Sequence, residues 1–167
     1  TVSSEHADSV RMLRNHGSRQ RYHHDVIGYN SRLDELQAVV LRAKLKRIEQ
    51  YNQGRRRVAD LYNEMLAGTD LVLPFQDGKG THVFHQYTVL TTRRDGIMDA
   101  LKAADIASAV YYPIPLHRQK VFAAQYRSVS LPVAEATASQ CLSLPMFPEM
   151  TEEQVRTVTD VIKGVLS

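Results

Sequence analysis

Asn30 and Arg32 stand two residues apart, just ahead of a long helical pattern, and are well suited to hold an anion. They belong to the run Gly28-Tyr29-Asn30-Ser31-Arg32-Leu33-Asp34-Glu35-Leu36-Gln37-Ala38. Ser31 is placed to cap the helix, and Asp34 and Glu35 fill its first turn, where carboxylates favour the positive end of the macrodipole. Helix starts of this kind hold phosphates, and an amide with a guanidinium matches phosphate and carboxylate oxygens. A second set is Tyr111-Tyr112-Pro113-Ile114-Pro115-Leu116-His117, with two phenols, two prolines and an imidazole at the end of a strand-like run. The prolines stiffen the exit and fix where Tyr112 and His117 project. Composition leaves two readings open: a core strand with a rigid turn, or a wall presenting hydroxyl and imidazole groups to a polar ligand. A third set, Arg19, Arg21, Tyr22, His23 and His24, lies in a polar stretch over residues 18–30. A loop of that length without periodicity is often a binding segment.

Other chemistries are disfavoured by spacing. The seven histidines invite a metal, but His82 and His85 would point to opposite faces of a strand, and adjacent His23 and His24 diverge. No cysteine pair or His-Glu-x-x-His pattern joins them, so no metal site is expected. Arg11, Arg14, Arg19 and Arg21 with Tyr22 could meet single-stranded nucleic acid. The net charge of +3 is far from extreme and no recognition motif is present, so no nucleic-acid partner is expected. There is no Gly-x-Ser-x-Gly, and Gly78 and Gly80 make no dinucleotide fingerprint. Cys141, the sole cysteine, sits in an apolar run and is expected to be buried and inert.

The elements that must position these groups follow from periodicity. A length of 167 residues supports one domain, or one and a fragment of another, and 43% hydrophobic with 23% charged residues is ordinary for a globular chain. No apolar run approaches the roughly 20 residues of a membrane span, and no secretion signal opens the sequence. With a single cysteine this fits a reducing, cytoplasmic setting. Ser3-Ser4-Glu5 opens a first helix that Gly17 stops. Residues 31–68 are helical in pattern, either one long helix bent near Gly54 or two helices meeting there. Short strands are expected at Leu71–Leu73, His82–Leu90, Ala109–Tyr112 and Leu142–Leu144. Helices are expected from a cap at Asp95, from Pro132 to about Gln140, and from the capping box Thr151-Glu152-Glu153-Gln154. The order predicts an α+β arrangement, a small sheet with helices packed on one face.

Three separated motifs then agree: Arg21-Tyr22-His23-His24 with Gly28 to Ala38; Tyr111 to His117; and Leu131-Pro132-Val133-Ala134-Glu135 with Leu142-Ser143-Leu144-Pro145-Met146. Together they resemble the DegT/DnrJ/EryC1/StrS family of pyridoxal-phosphate-dependent nucleotide-sugar aminotransferases, with wording closest to members that aminate a 3-keto sugar. The resemblance implies the C-terminal portion of a fold type I transferase, with a small mixed or antiparallel sheet and a long linking helix. Residues 1–30 would be a residual segment of the large cofactor domain, 31–68 the linking helix, and 69–167 the small domain. It implies pyridoxal 5'-phosphate as cofactor, a nucleoside-diphosphate keto sugar as substrate, glutamate as amino donor, and a homodimer with shared active sites.

By the same resemblance, Asn30 would reach the cofactor phosphate of a partner subunit and Arg32 an anionic part of the substrate or cofactor region. Tyr22, His23 and His24 would meet the nucleotide phosphates, Tyr111 and Tyr112 would border the sugar, and His117 would belong to the same substrate wall. None of Lys44, Lys46, Lys79, Lys102, Lys120 or Lys163 lies in the family's Schiff-base motif, so no catalytic residue is expected in this chain and the chain alone is expected to be inactive. Two alternatives stay open: a non-catalytic dimerisation or interaction module, and a sugar dehydratase of the same family.

Overall fold

The computed structural model describes residues 2–167; Thr1 lies outside the described residues. The chain divides into two compact units, Thr1–Arg47 and Ile48–Ser167. In the first, helix α1 (Ser4–Leu13) is capped by Ser3, whose hydroxyl accepts the His6 N–H. Strands β1 (Ser18–Gln20) and β2 (His23–His24) form a short antiparallel hairpin where the sequence suggests an unstructured loop. Two glycines make the return possible. A Cβ on Gly17 would lie 1.8 Å from the Val26 carbonyl oxygen, and one on Gly28 would lie 2.0 Å from the Gly17 nitrogen. The backbones therefore cross at a separation that no side chain allows.

Helix α2 (Glu35–Leu45) corrects the expected cap. The Asp34 carboxylate, not Ser31, accepts the N–H groups of Leu36 and Gln37. The Ser31 N–H is already committed to the Arg14 carbonyl at 2.9 Å, which keeps the approach extended past it. The interruption expected near Gly54 falls instead at Lys46–Arg47, where no Gly or Pro marks it.

In the second unit, helix α3 (Ile48–Met65) runs unbroken through Gly54, and Pro148 packs directly on that glycine. Strands β3 (Tyr87–Leu90) and β4 (Cys141–Leu144) pair antiparallel, Tyr87 opposite Leu144 and Leu90 opposite Cys141. Two of the expected strands shrink to single bridges, Val72 with Leu90 and Ala109 with Ser143, flanking the pair on either side. The run from His82 becomes a strand only at Tyr87. The His82 Nδ1 accepts the Phe84 N–H, Phe84 turns through a positive φ of 45°, and Arg55 takes the Phe84 and His85 carbonyls.

Helix α4 (Arg94–Ala103) is not capped by Asp95: the Thr91 hydroxyl accepts the Arg93 N–H, and Asp95 pairs with the Arg94 guanidinium. Helix α5 (Pro132–Gln140) starts on its proline, and α6 (Glu152–Leu166) carries both hydrogen bonds of the Thr151/Gln154 capping box.

Side chains alternate across β3 and β4. Tyr87, Val89, Leu142 and Leu144 enter the core with Val58 and Tyr62 of α3, Ile97 and Leu101 of α4, and Val155, Val158 and Ile162 of α6. Tyr62 and Tyr87 stack with ring centroids 4.8 Å apart; the Tyr62 hydroxyl donates to the Pro145 carbonyl and the Tyr87 hydroxyl to Asn63. Burial raises both phenol pKa values, so neither titrates in the ordinary range. The opposite sheet face, with Thr88, Cys141 and Ser143, opens onto a cavity that α5 borders.

Candidate functional site

The sequence-derived residues fall into two groups, one in each unit. In the first unit, the segment after Gly28 lies along the end of α1. Tyr29 N–H donates to the Leu13 carbonyl at 2.7 Å, His16 N–H to the Tyr29 carbonyl at 2.9 Å, and Asn15 and Asn30 form a bridge. This pairing sets Asn30 and Arg32 on an exposed, extended approach to α2, with the Arg32 Nε donating to Asn30 Oδ1 at 3.2 Å. That contact orients both groups. It leaves the Asn30 amide N–H and the remaining guanidinium N–H groups as outward donors. Since Asp34 occupies the helix cap, the donors that face outward here are these side chains and not the helix terminus itself.

Tyr22 forms the tip of the β1–β2 hairpin with a positive φ of 68°, an uncommon conformation for a bulky residue, and the Arg21 guanidinium lies 4.9 Å from its ring centroid. His24 Nδ1–H donates to the His16 carbonyl at 2.9 Å, which leaves Nε2 outward; His23 is exposed beside it. The basic cluster is partly compensated in place, Arg11 by Asp8 at 2.8 Å and Arg19 by Asp25 at 4.0 Å.

In the second unit, Tyr111, Tyr112 and His117 line one cavity of about 860 Å³ on the sheet face away from the core. Both tyrosines are exposed, whereas His117 is only 7% exposed, on a single 3-10 turn (Leu116–Arg118). Its Nε2 donates to Glu135 Oε1 at 2.8 Å, so only its other ring nitrogen is uncommitted. The same oxygen accepts from Arg118 at 3.1 Å and from the Leu131 N–H at 3.1 Å. These bonds, that from His117 foremost, hold the Glu135 carboxyl down to about 2. In the sequence Glu135 stood only as the last residue of the Leu131–Glu135 motif, with no role assigned. Phe122 and Tyr126, which also line the cavity, carried an i,i+4 aromatic signal in a stretch with no regular pattern. Cys141 is half-buried on the cavity wall and not enclosed as expected. Among the described residues no three His, Cys, Asp or Glu side chains converge as a metal site, and no helix is long and apolar enough to cross a membrane.

The chain belongs to the DegT/DnrJ/EryC1/StrS aminotransferase family, whose pattern matches residues 1–163. It is 54% identical over 166 residues to the UDP-N-acetyl-3-dehydro-alpha-D-glucosamine 3-aminotransferase of Acidithiobacillus ferrooxidans, covering 99% of this chain and 45% of that protein. Among solved structures, DesV of Streptomyces venezuelae, in complex with a ketimine intermediate, superposes with a TM-score of 0.93 at 40% identity, over 98% of this chain and 45% of that one. NtdA of Bacillus subtilis, with bound cofactor PMP, superposes at 0.89 and 28% identity, over 99% and 40%. The chain thus spans under half the length of these relatives. The family is one of pyridoxal-phosphate enzymes. Against that cofactor the residues present fit its phosphate end: exposed amide and guanidinium donors converge at Asn30 and Arg32. They do not supply its covalent anchor, because all six lysines of this chain are exposed and none is held in an enclosed site.

Proposed function

We propose that this chain is the C-terminal part of a pyridoxal-phosphate-dependent aminotransferase that moves an amino group from glutamate to the 3-keto group of a nucleoside-diphosphate sugar. The observation that carries this reading is the 54% identity to a 3-aminotransferase of a UDP-linked 3-dehydro sugar along 99% of the chain. The cofactor, when bound, supplies an electron sink for the transfer. Asn30 and Arg32 hold its phosphate or a neighbouring anionic group across a twofold axis, their donors already aligned by their mutual hydrogen bond. The Tyr22 tip with His23 and His24 faces the diphosphate, which needs donors and tolerates a cation. Tyr111 and Tyr112 border the sugar and shield it from water, and His117 sets the back of that wall through its bond to Glu135. The Schiff-base lysine, which anchors the cofactor and carries the proton, is not among the lysines of this chain, so the chain alone does not turn over. The working protein is a cytoplasmic homodimer with shared sites.

The test is direct. The intact protein, supplied with pyridoxal phosphate and glutamate, is incubated with UDP- and dTDP-linked 3-keto sugars, and the products are followed by mass spectrometry. An amino sugar formed with one equivalent of 2-oxoglutarate is the expected result. Cofactor-loaded protein that yields no amine from any of these sugars would end the proposal, and the 167-residue chain assayed alone should give none.

A further inference from the structure

The stretch from Pro113 to Leu131 carries little regular structure, yet it roofs an apolar cavity. Its only ordered backbone bonds are turns such as Phe122 N–H to the Gln119 carbonyl at 2.9 Å and Tyr126 N–H to the Phe122 carbonyl at 3.0 Å. Such a segment has few internal reasons to hold one conformation, and fixing its backbone costs conformational entropy. One atom ties it down. Glu135 Oε1 accepts from His117 and Arg118 where the strap begins and from Leu131 N–H where it ends. Leu131 is also the residue ahead of α5 and has no side-chain cap of its own, so the carboxylate satisfies a helix-entry donor while joining two points 14 residues apart in sequence.

We propose that Glu135 is a positioning residue: its carboxylate latches both ends of the 117–131 strap and thereby fixes Phe122 and Tyr126, which the strap carries, on the wall of the cavity in which the sugar is bound. The latch stands on these hydrogen bonds; its consequence for the sugar rests on the function proposed above. His117 and Arg118 are the titratable and charged partners facing Glu135, and the low carboxyl pKa they impose keeps the latch ionised throughout the neutral range.

The experiment compares the intact protein with its E135Q and E135A variants by amide hydrogen exchange and by separate half-reactions. Exchange in residues 117–131 rises about ten-fold or more in E135A, the scale of one lost charge-assisted hydrogen bond, and less in E135Q, while α3 and α6 are unchanged. KM for the nucleotide sugar rises about ten-fold, while reaction of the loaded protein with the amino donor alone keeps its rate. Strap exchange equal to wild type in both variants overturns the latch. Equal losses in the donor and sugar half-reactions overturn the positioning role, since general destabilisation would produce them. If E135A fails to fold, E135Q carries both readouts. A wild-type protein that aminates no keto sugar refutes the proposed function, and the exchange comparison still decides the latch.

Discussion

Asn30 and Glu135 show two ways in which one side chain organises others. Asn30 is exposed, and its fold contribution comes from the backbone bridge to Asn15 rather than from its amide. Removing the amide therefore leaves the fold in place and, on the proposed role, costs binding. In the intact protein, Asn30→Ala weakens cofactor retention by about ten-fold, the scale of a hydrogen bond to a charged group, while the melting temperature stays within about 2 °C. Equilibrium dialysis and thermal melts check this; a lower melting temperature with full occupancy would mean the amide serves the fold. Glu135 makes the opposite case, because its donors belong to the protein itself. Its carboxyl is lowered from an ordinary 4.5 to about 2, chiefly by the bond from His117. A depressed folded pKa gives stability that is full above the unfolded value and is lost as pH falls through the folded one. The stability gap between wild type and E135Q is therefore flat above about pH 5 and narrows between 4.5 and 2. Denaturant melts across that range measure it, and a gap unchanged down to pH 2 would contradict the assignment.

The starts of α5 and α6 were legible in the sequence, whereas the caps of α2 and α4 and the extents of the strands were not. The Thr151/Gln154 box and Pro132 begin α6 and α5 where the pattern places them, because their partners lie within one turn. The strands at Leu71–Leu73 and Ala109–Tyr112 contract to single bridges, since a strand's extent depends on what a neighbour offers, and β3 and β4 are four residues each. Gly54 teaches the same lesson. A glycine inside a helical pattern reads as a bend, yet here it admits the Pro148 backbone, which α3 meets 94 residues later. A Cβ there would lie 2.5 Å from the Pro148 carbonyl oxygen. Gly54→Ala gains up to about 1 kcal/mol of helix propensity but incurs an overpacking cost of about 1–3 kcal/mol, so it lowers stability. At Gly164 in α6 nothing lies within 4 Å of the added carbon, and Gly164→Ala raises stability by about 0.5–1 kcal/mol. Urea melts of the two variants should shift in opposite directions; shifts of the same sign would show that propensity alone governs.

At the scale of the whole molecule, the two units differ in how they are held together. Ile48–Ser167 encloses a core drawn from three helices and the sheet. In Thr1–Arg47, α1 and α2 contain no buried residue. On α2, Leu36 is 80% exposed and Leu45 68%, with Val39, Val40 and Leu41 between them. Its pattern announced a helix plainly, but not that the helix would be left uncovered, because periodicity records that a face is apolar and not what lies against it. Side chains of this kind in contiguous exposure mark an interaction surface. The chain spans 45% of the length of its 54%-identical relative. The 167-residue chain is therefore expected to bind an apolar-surface dye and to self-associate in sedimentation. Leu36→Glu with Leu45→Glu should reduce both without lowering the thermal stability of the second unit, whose core they do not enter. In the intact protein the same pair should impair assembly and cofactor retention together. A dye-silent, monodisperse monomer of the 167-residue chain would show that α2 needs no cover, and the shared-site arrangement proposed for Asn30 and Arg32 would lose its physical basis.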